Sequence, residues 1–283
     1  MSDRFRANKP EGLMACLSAN LNGWSRSRIK QRLKAGCVTV NGISVTRHDH
    51  ALVIGDNVEV IAAAKAPINN TPLLEILYED RNLIAINKPA GLLSVASADE
   101  NALHALGILR EQMSRQSLAI KLWPVHRIDR DTSGVMLFAT SKAMREGVMA
   151  NWDEAEKSYL AIVEGHPEPE QGTIDQPLRL DDVLYQMHVG EHPDARPAIT
   201  HYQTEHSDNK RTLLQVQIDT GRQHQIRAHL AWLGYPVVGD RRYGTDGNRM
   251  GLHALRLSII KPDSTKRLTF ETPAPADFLA LIK

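Results

Sequence analysis

His126-Arg127-Ile128-Asp129-Arg130-Asp131-Thr132-Ser133-Gly134 runs straight into Val135-Met136-Leu137-Phe138-Ala139, so a polar loop dense in charge feeds a continuous apolar run. An unbroken apolar run after such a loop predicts a strand buried on both faces, inside a sheet that other elements cover. Side chains on a loop at the end of that strand stand on a rigid frame, where functional groups are commonly carried. Asp129 is the leading candidate among them.

The same alternation extends outward from this strand. Leu74 to Asp80 and Leu83 to Asn87 predict a strand pair turned by Asp80-Arg81-Asn82 and ending in Lys88-Pro89-Ala90-Gly91. Tyr159 to Val163 and Leu213 to Ile218 predict further strands, and Lys142 to Trp152 a helix. Helices and strands mix without a regular strand-helix repeat. The expected class is therefore α+β, with a large mixed or antiparallel β-sheet flanked by helices.

A chain of 283 residues exceeds what one core holds comfortably. It divides by composition into a small α/β unit over residues 12–62, a linker over 63–72 rich in Ala, Pro and Asn, and a large domain over 73–283. In the small unit Ser25 is placed to cap a helix with Ile29 and Leu33 inward, and Gly36 to end it in a left-handed cap. Cys37 to Val40, the Asn41-Gly42 turn and Ile43 to Val45 predict a hairpin; Leu52 to Ile54 and Val58 to Ile61 predict a second pair about Gly55-Asp56.

Net charge is only +1, but it is unevenly spread. The first sixty residues carry nine Lys or Arg against five Asp or Glu, and Arg26, Arg28, Lys30, Arg32 and Lys34 follow one another with no acid between them. Charge runs are most often solvated faces. A helix kept only for solubility mixes signs, however, so this run points to phosphate binding. The two cysteines, Cys16 and Cys37, form no Cys-x-x-Cys pair and are expected to be buried thiols, with neither structural zinc nor a disulfide framework. No apolar stretch is long enough to span a bilayer, and the charged start is unlike a secretory signal. A cytoplasmic protein is expected.

A second polar segment, Thr220 to Leu230, joins a strand to a helix and places Arg222 and Arg227 near an element start, where anions are well received. Its histidines are five apart and lack the spacing of a zinc pair. Asp129 itself admits several readings: a turn residue, the nucleophile of an Asp-x-Asp phosphohydrolase with Asp131, or one carboxylate of a glycosidase. The phosphohydrolase reading fails on context, because such a pair ends an apolar strand and this one begins it.

The loop resembles the His-Arg-Leu-Asp-x-x-Thr-Ser-Gly signature of the RluA family of pseudouridine synthases. Asn87-Lys88-Pro89-Ala90-Gly91-Leu92, Lys157-Ser158-Tyr159-Leu160-Ala161, Gly221 to Arg227, and Gly239-Asp240-Arg241-Arg242-Tyr243-Gly244 follow in the family's order. Residues 12 to 60 are similar to the alpha-L RNA-binding domain named after a small-subunit ribosomal protein. The resemblance implies an RNA uridine isomerase whose catalytic residues are Asp129, Tyr159 and Arg227, with Arg127 entering the RNA stack where the base leaves. It implies no metal and no cofactor, nucleotide cofactors included, because the reaction is an isomerisation. Arg26, Arg28, Lys30, Arg32, Lys34 and Arg222 are the expected RNA-binding residues. The expected partner is large-subunit ribosomal RNA, with transfer RNA second and a non-catalytic RNA-binding protein as the competing reading; no membrane partner is expected, and the chain is expected to act as a monomer. Ile128 stands where the family has leucine, Arg196 where lysine is usual, and Leu93-Ser94-Val95-Ala96 departs from the usual His-Pro or Pro-Ser after Gly91.

Overall fold

In the computed structural model, which describes residues 3–34, 36–61, 73–96, 103–114, 121–262, 264 and 266–282, the chain divides between residues 72 and 73 into two units. The linker expected over 63–72 lies outside the described residues. The front unit contains β1 (Asp3–Arg6), β2 (Glu11–Gly12), α1 (Leu13–Asn20), α2 (Arg26–Lys34), β3 (Val38–Val40), β4 (Ile43–Ser44), β5 (Ala51–Leu52) and β6 (Asn57–Val60). Ser25 Oγ accepts the backbone N–H of Arg28 at 3.2 Å and caps α2. Ile29 and Leu33 pack with Leu13, Leu17 and Leu52, while Arg26, Arg28 and Lys30 stay exposed. Asn41 and Gly42 both take positive φ, 52° and 82°, as a tight turn between β3 and β4 requires.

Two expectations are corrected here. The stretches around Leu52 and Val58 do not pair with each other: β5 pairs with β2, and β6 lies between β1 and β3. Ala7 explains the difference, because its N–H reaches Asp56 O and its carbonyl accepts Gly55 N, each at 2.8 Å, so the chain start occupies the space a hairpin would use. The unit accordingly begins before residue 12, with β1 completing a sheet in the order β1-β6-β3-β4.

The second unit is built from β7 (Glu75–Glu79), β8 (Leu83–Lys88), α3 (Ala105–Ser114), β9 (Trp123–Pro124), β10 (Ser133–Ala139), α4 (Lys142–Ala150) and β11 (Glu156–Glu164). There follow β12 (Gln171–Asp175), β13 (Leu178–Asp181), β14 (Gln186–Val189), β15 (Ile199–Ser207), β16 (Arg211–Ile218), α5 (Gln225–Trp232), β17 (Leu252–Ile260), β18 (Arg267–Glu271) and α6 (Ala276–Leu279). Its main sheet runs β12-β15-β16-β11-β17-β10-β8-β7, with β18 on β17 and β9 on β10. All of these pairings are antiparallel except β10 with β17, so the sheet is mixed and the class is α+β as expected.

Every residue of β10 is buried, which is why its apolar run is unbroken. Met136 and Phe138 pack with Leu106, Leu109 and Met113 of α3 on one face; Val135, Leu137 and Ala139 pack with Val148 of α4, Leu83 and Leu257 on the other. Gly134, at the strand's start, has φ 116°, and a Cβ there would fall 2.2 Å from Ala254 O. Only glycine lets the loop approach β17 this closely. The register then makes Ala254 the neighbour of Gly134 on one side and of Tyr159 on the other, beside a β-bulge between Ser158 and Tyr159. The loop bearing Asp129 and the strand bearing Tyr159 are thereby fixed to the same point of β17.

Candidate active site

The backbone on both sides of Asp129 is held by groups from distant segments. Ser94 Oγ donates to Ile128 O at 2.6 Å and accepts Ile128 N. Lys88, fully buried, donates from Nζ to Arg130 O, Pro89 O and Leu92 O at 3.0, 3.0 and 2.7 Å. Burial pushes its pKa down to about 7, against the pull of Asp131 and Asp129. Three carbonyls around one nitrogen need three donors, which only the ammonium form supplies.

Arg249 donates to Asp131 O at 3.2 Å and to Ser133 Oγ at 2.7 Å. That leaves the Ser133 hydroxyl to donate to His253 Nδ1, whose Nε2–H meets Thr272 O at 3.0 Å. His126 braces the same strand: burial lowers its pKa to about 4, and its unprotonated Nε2 accepts the N–H of Leu137. Asp131, by contrast, is half exposed and pairs with its neighbour Arg130. It belongs to the loop's surface, while Asp129 points inward.

Asp129 Oδ2 accepts Arg227 Nη1 at 2.7 Å. Arg227 reaches it from α5, whose start is braced by buried Gln225: its amide accepts Thr220 Oγ and Arg222 N, and donates to Ile199 O. The rest of the guanidinium is taken by Asp240, with Nε and Nη2 bound to its two oxygens at 2.7 and 2.8 Å. Burial alone would lift the Asp240 pKa; Arg227 and the N–H groups of Arg242 and Tyr243 outweigh it and hold it below the ordinary value. Burial likewise opposes the charge on Arg227, and the two carboxylates more than offset it, raising its pKa. Gly239 makes this turn feasible, since a Cβ there would lie 2.2 Å from Arg249 O.

A cavity of about 80 Å³ opens beside the ion pair, and Asp129, Tyr159, Arg227, Arg222, Arg127 and Thr132 all line it. Desolvation, helped by the Asp129 charge, pushes the Tyr159 phenol well above its ordinary pKa, so it stays protonated at neutral pH and is a hydrogen-bond donor. Thr132 Oγ1 is buried on the cavity wall without a hydrogen-bond partner among the described residues, which leaves it for a ligand. Arg127 is exposed at the rim and makes no ion pair among the described residues; Arg222 donates to Pro197 O. A larger cleft of about 930 Å³ shares Asp129, His224 and Arg227 with it, and its wall carries Arg130, Arg241, Arg242 and Arg249 interleaved with Asp131, Asp240 and Asp277. The arrangement is a small pocket and a larger cleft with mixed charge, joined at the Asp129–Arg227 ion pair.

Spacing in the sequence did not single out His224, Asp240, Lys88 or Arg249. His224 takes φ 51°, a left-handed conformation that costs a non-glycine residue on the order of 1 kcal/mol. Its Nε2 lies 3.8 Å from Asp129 Oδ2, and its Nδ1 is 3.1 Å from the Tyr243 hydroxyl, which also accepts Met187 N. Of the basic helix residues, Arg28 stacks over Trp24 at 4.0 Å and Arg32 contacts Cys37 Sγ; the side chain of Lys34 lies outside the described residues. Cys16 and Cys37 are both buried and not joined in a disulfide. Among the described residues no group of His, Cys, Asp and Glu is arranged to hold a metal ion, and no helix is long and apolar enough to cross a membrane.

Residues 82–232 match the family model of RNA pseudouridylate synthases. The chain is 32% identical to the uncharacterized RNA pseudouridine synthase YlyB of Bacillus subtilis over 97% of its own length and 94% of that protein. It is also 32% identical to ribosomal large subunit pseudouridine synthase D of Zymomonas mobilis, over 94% and 91% of the two chains. The solved structure of human RNA pseudouridylate synthase domain containing 1 superposes with a TM-score of 0.62 at 27% identity, covering 74% of this chain and 87% of that one. The matched segment holds both ends of the Asp129–Arg227 pair, the loop that carries the signature and the strand that carries Tyr159. On these grounds the chain belongs to the RNA pseudouridylate synthase family, in its RluA-type branch, and is a pseudouridine synthase.

Proposed function

We propose that this enzyme converts specific uridines of large-subunit ribosomal RNA to pseudouridine, with Asp129 as the reacting carboxylate. The observation that carries this reading is the Asp129–Arg227 ion pair in the wall of a cavity shared with Tyr159. The reaction breaks the N1–C1′ bond, turns the base and joins C5 to C1′. A carboxylate at this place can attack C1′, add to the pyrimidine ring or assist a glycal intermediate. Tyr159 offers a flat apolar face for the base and a phenol that keeps its proton and can donate a hydrogen bond. The uridine leaves its stack to reach them, and Arg127 at the rim is placed to fill the gap.

Ribosomal RNA is favoured over transfer RNA by the name of the Zymomonas relative. The working place is the cytoplasm, and the working form a single chain. Mapping pseudouridines across total RNA from a strain lacking this protein is expected to show losses in large-subunit ribosomal RNA. Losses confined to transfer RNA would move the substrate there; a map identical to wild type would sink the proposal.

The front unit is read as the RNA grip. Arg26, Arg28 and Lys30 are exposed on α2 and make no ion pair among the described residues, as a phosphate-binding face requires. Replacing all three by glutamine is expected to weaken RNA binding and to reduce the slope of log K against log salt by about 0.7–0.9 per charge. An unchanged slope in filter binding across a salt series would remove α2 from the interface.

A further inference from the structure

His224 stands at the junction of the two cavities, lining both the small pocket with Tyr159 and the larger cleft. We propose that His224 is a further catalytic residue, donating a hydrogen bond from Nε2–H to a carbonyl oxygen of the uracil as its bond to C1′ breaks. This rests on Asp129 being the reacting carboxylate.

Three observations carry it. The first is the tautomer. The Tyr243 oxygen already accepts the N–H of Met187 at 2.7 Å, which favours its own proton as the donor to His224 Nδ1 at 3.1 Å and so assigns the imidazole proton to Nε2. The second is position. Nε2 lies 3.8 Å from Asp129 Oδ2, too far to be a hydrogen bond, and has no other hydrogen-bond partner among the described residues. A donor beside the reacting carboxylate is therefore unspent. The third is backbone. At φ 51° the main chain is left-handed, a conformation uncommon for any residue with a side chain, so the imidazole is held there at a backbone cost. Burial, reinforced by Arg227 and Arg242 against the opposing Asp129, lowers the His224 pKa and keeps it a neutral donor at neutral pH.

The chemistry has use for such a donor. When N1–C1′ breaks with its electron pair on N1, negative charge spreads onto O2 and O4, and a neutral N–H stabilises it without neutralising Asp129. C5 then bonds to C1′, the C5 proton leaves through water and N1 takes one up. Atoms and electrons balance, and His224 ends with the proton it began with.

The test is single-turnover pseudouridine formation, enzyme in excess, on unmodified transcripts of large-subunit ribosomal RNA and of transfer RNAs, with RNA affinity measured alongside. His224→Ala is expected to slow the chemical step about 10²–10³-fold at near-normal affinity. His224→Gln, which retains an N–H donor, is expected to recover most of that loss. His224→Gly, suited to the left-handed backbone, is expected to fold better than the alanine variant and to be as slow; it and Tyr243→Phe, which removes the lock on the tautomer and is expected to be slowed, answer the question if His224→Ala does not fold. A wild-type rate in His224→Ala, or a glutamine variant no faster than alanine, overturns the proposal. Turnover by Asp129→Asn would overturn the reading beneath it instead, whereas a dead Asp129→Asn beside a normal His224→Ala refutes the role of His224 alone.

Discussion

Asp129→Asn is expected to reduce pseudouridine formation by at least about 10⁴-fold while leaving RNA affinity near that of the wild type. The substitution keeps shape and one carbonyl acceptor, so Arg227 Nη1 retains a partner at the same place. Arg227 also keeps Asp240 through two bonds, so no buried charge is left unpaired. The loop does not depend on the Asp129 side chain either: Ser94, Lys88 and Arg249 hold it by the carbonyls of Ile128, Arg130 and Asp131. What is lost is the negative charge that C1′ or the ring must meet. Product measured by mass spectrometry of digested transcripts, beside a binding titration, separates the two effects. A variant that makes product at the wild-type rate would take Asp129 out of the chemistry.

Some of this site was legible in the sequence because the signals are local. The unbroken run Val135 to Ala139 reads as a strand buried on both faces, and the Asn41-Gly42 and Asp80-Arg81-Asn82 turns carry their own backbone chemistry. Asp129 stands out from its surroundings for the same reason. Its partner Arg227 is another matter, since 98 residues separate them and no periodicity links a loop to a distant helix. The family signature, read in order along the chain, connected them.

Other groups had no such guide. Lys88 and Arg249 bind main-chain carbonyls, which every residue has, so nothing in their partners' identities announces them. Asp240 lies in a Gly-Asp-Arg-Arg turn that reads as solvated, yet its carboxylate is wholly buried under Arg227. The pairing around Leu52 and Val58 was misread because the competing strand comes from the chain start, more than forty residues away, and turn chemistry at Gly55 is blind to it. Long-range partners decide both cases, and hydrophobic pattern is silent about which of several compatible strands arrives.

Asp240→Ala tests the deeper half of the site and is expected to be the most damaging single change to stability. Asp240 is fully buried, and its loss strips two N–H···O bonds from the Arg227 guanidinium and leaves it the one to Asp129. Breaking a buried pair from one side costs about 3–5 kcal/mol, because the survivor's charge stays desolvated. In a unit of this size that amounts to a fall in melting temperature of roughly 10 °C. Activity should fall with it, since Arg227 loses the anchor that sets its position against Asp129, and the backbone N–H groups of Arg242 and Tyr243 lose the acceptor that shapes the turn beside His224. Removing both charges separates these roles. Arg227→Met with Asp240→Leu fills the space with apolar groups and leaves no buried ion between the two sites, so stability should return most of the way. Pseudouridine formation should not return, because Asp129 then has no cation beside it. Thermal melts and turnover of the two variants decide the matter: an Asp240→Ala protein that melts with the wild type would show the pair to be solvated, and a double variant that regains activity would show that Arg227 serves packing alone.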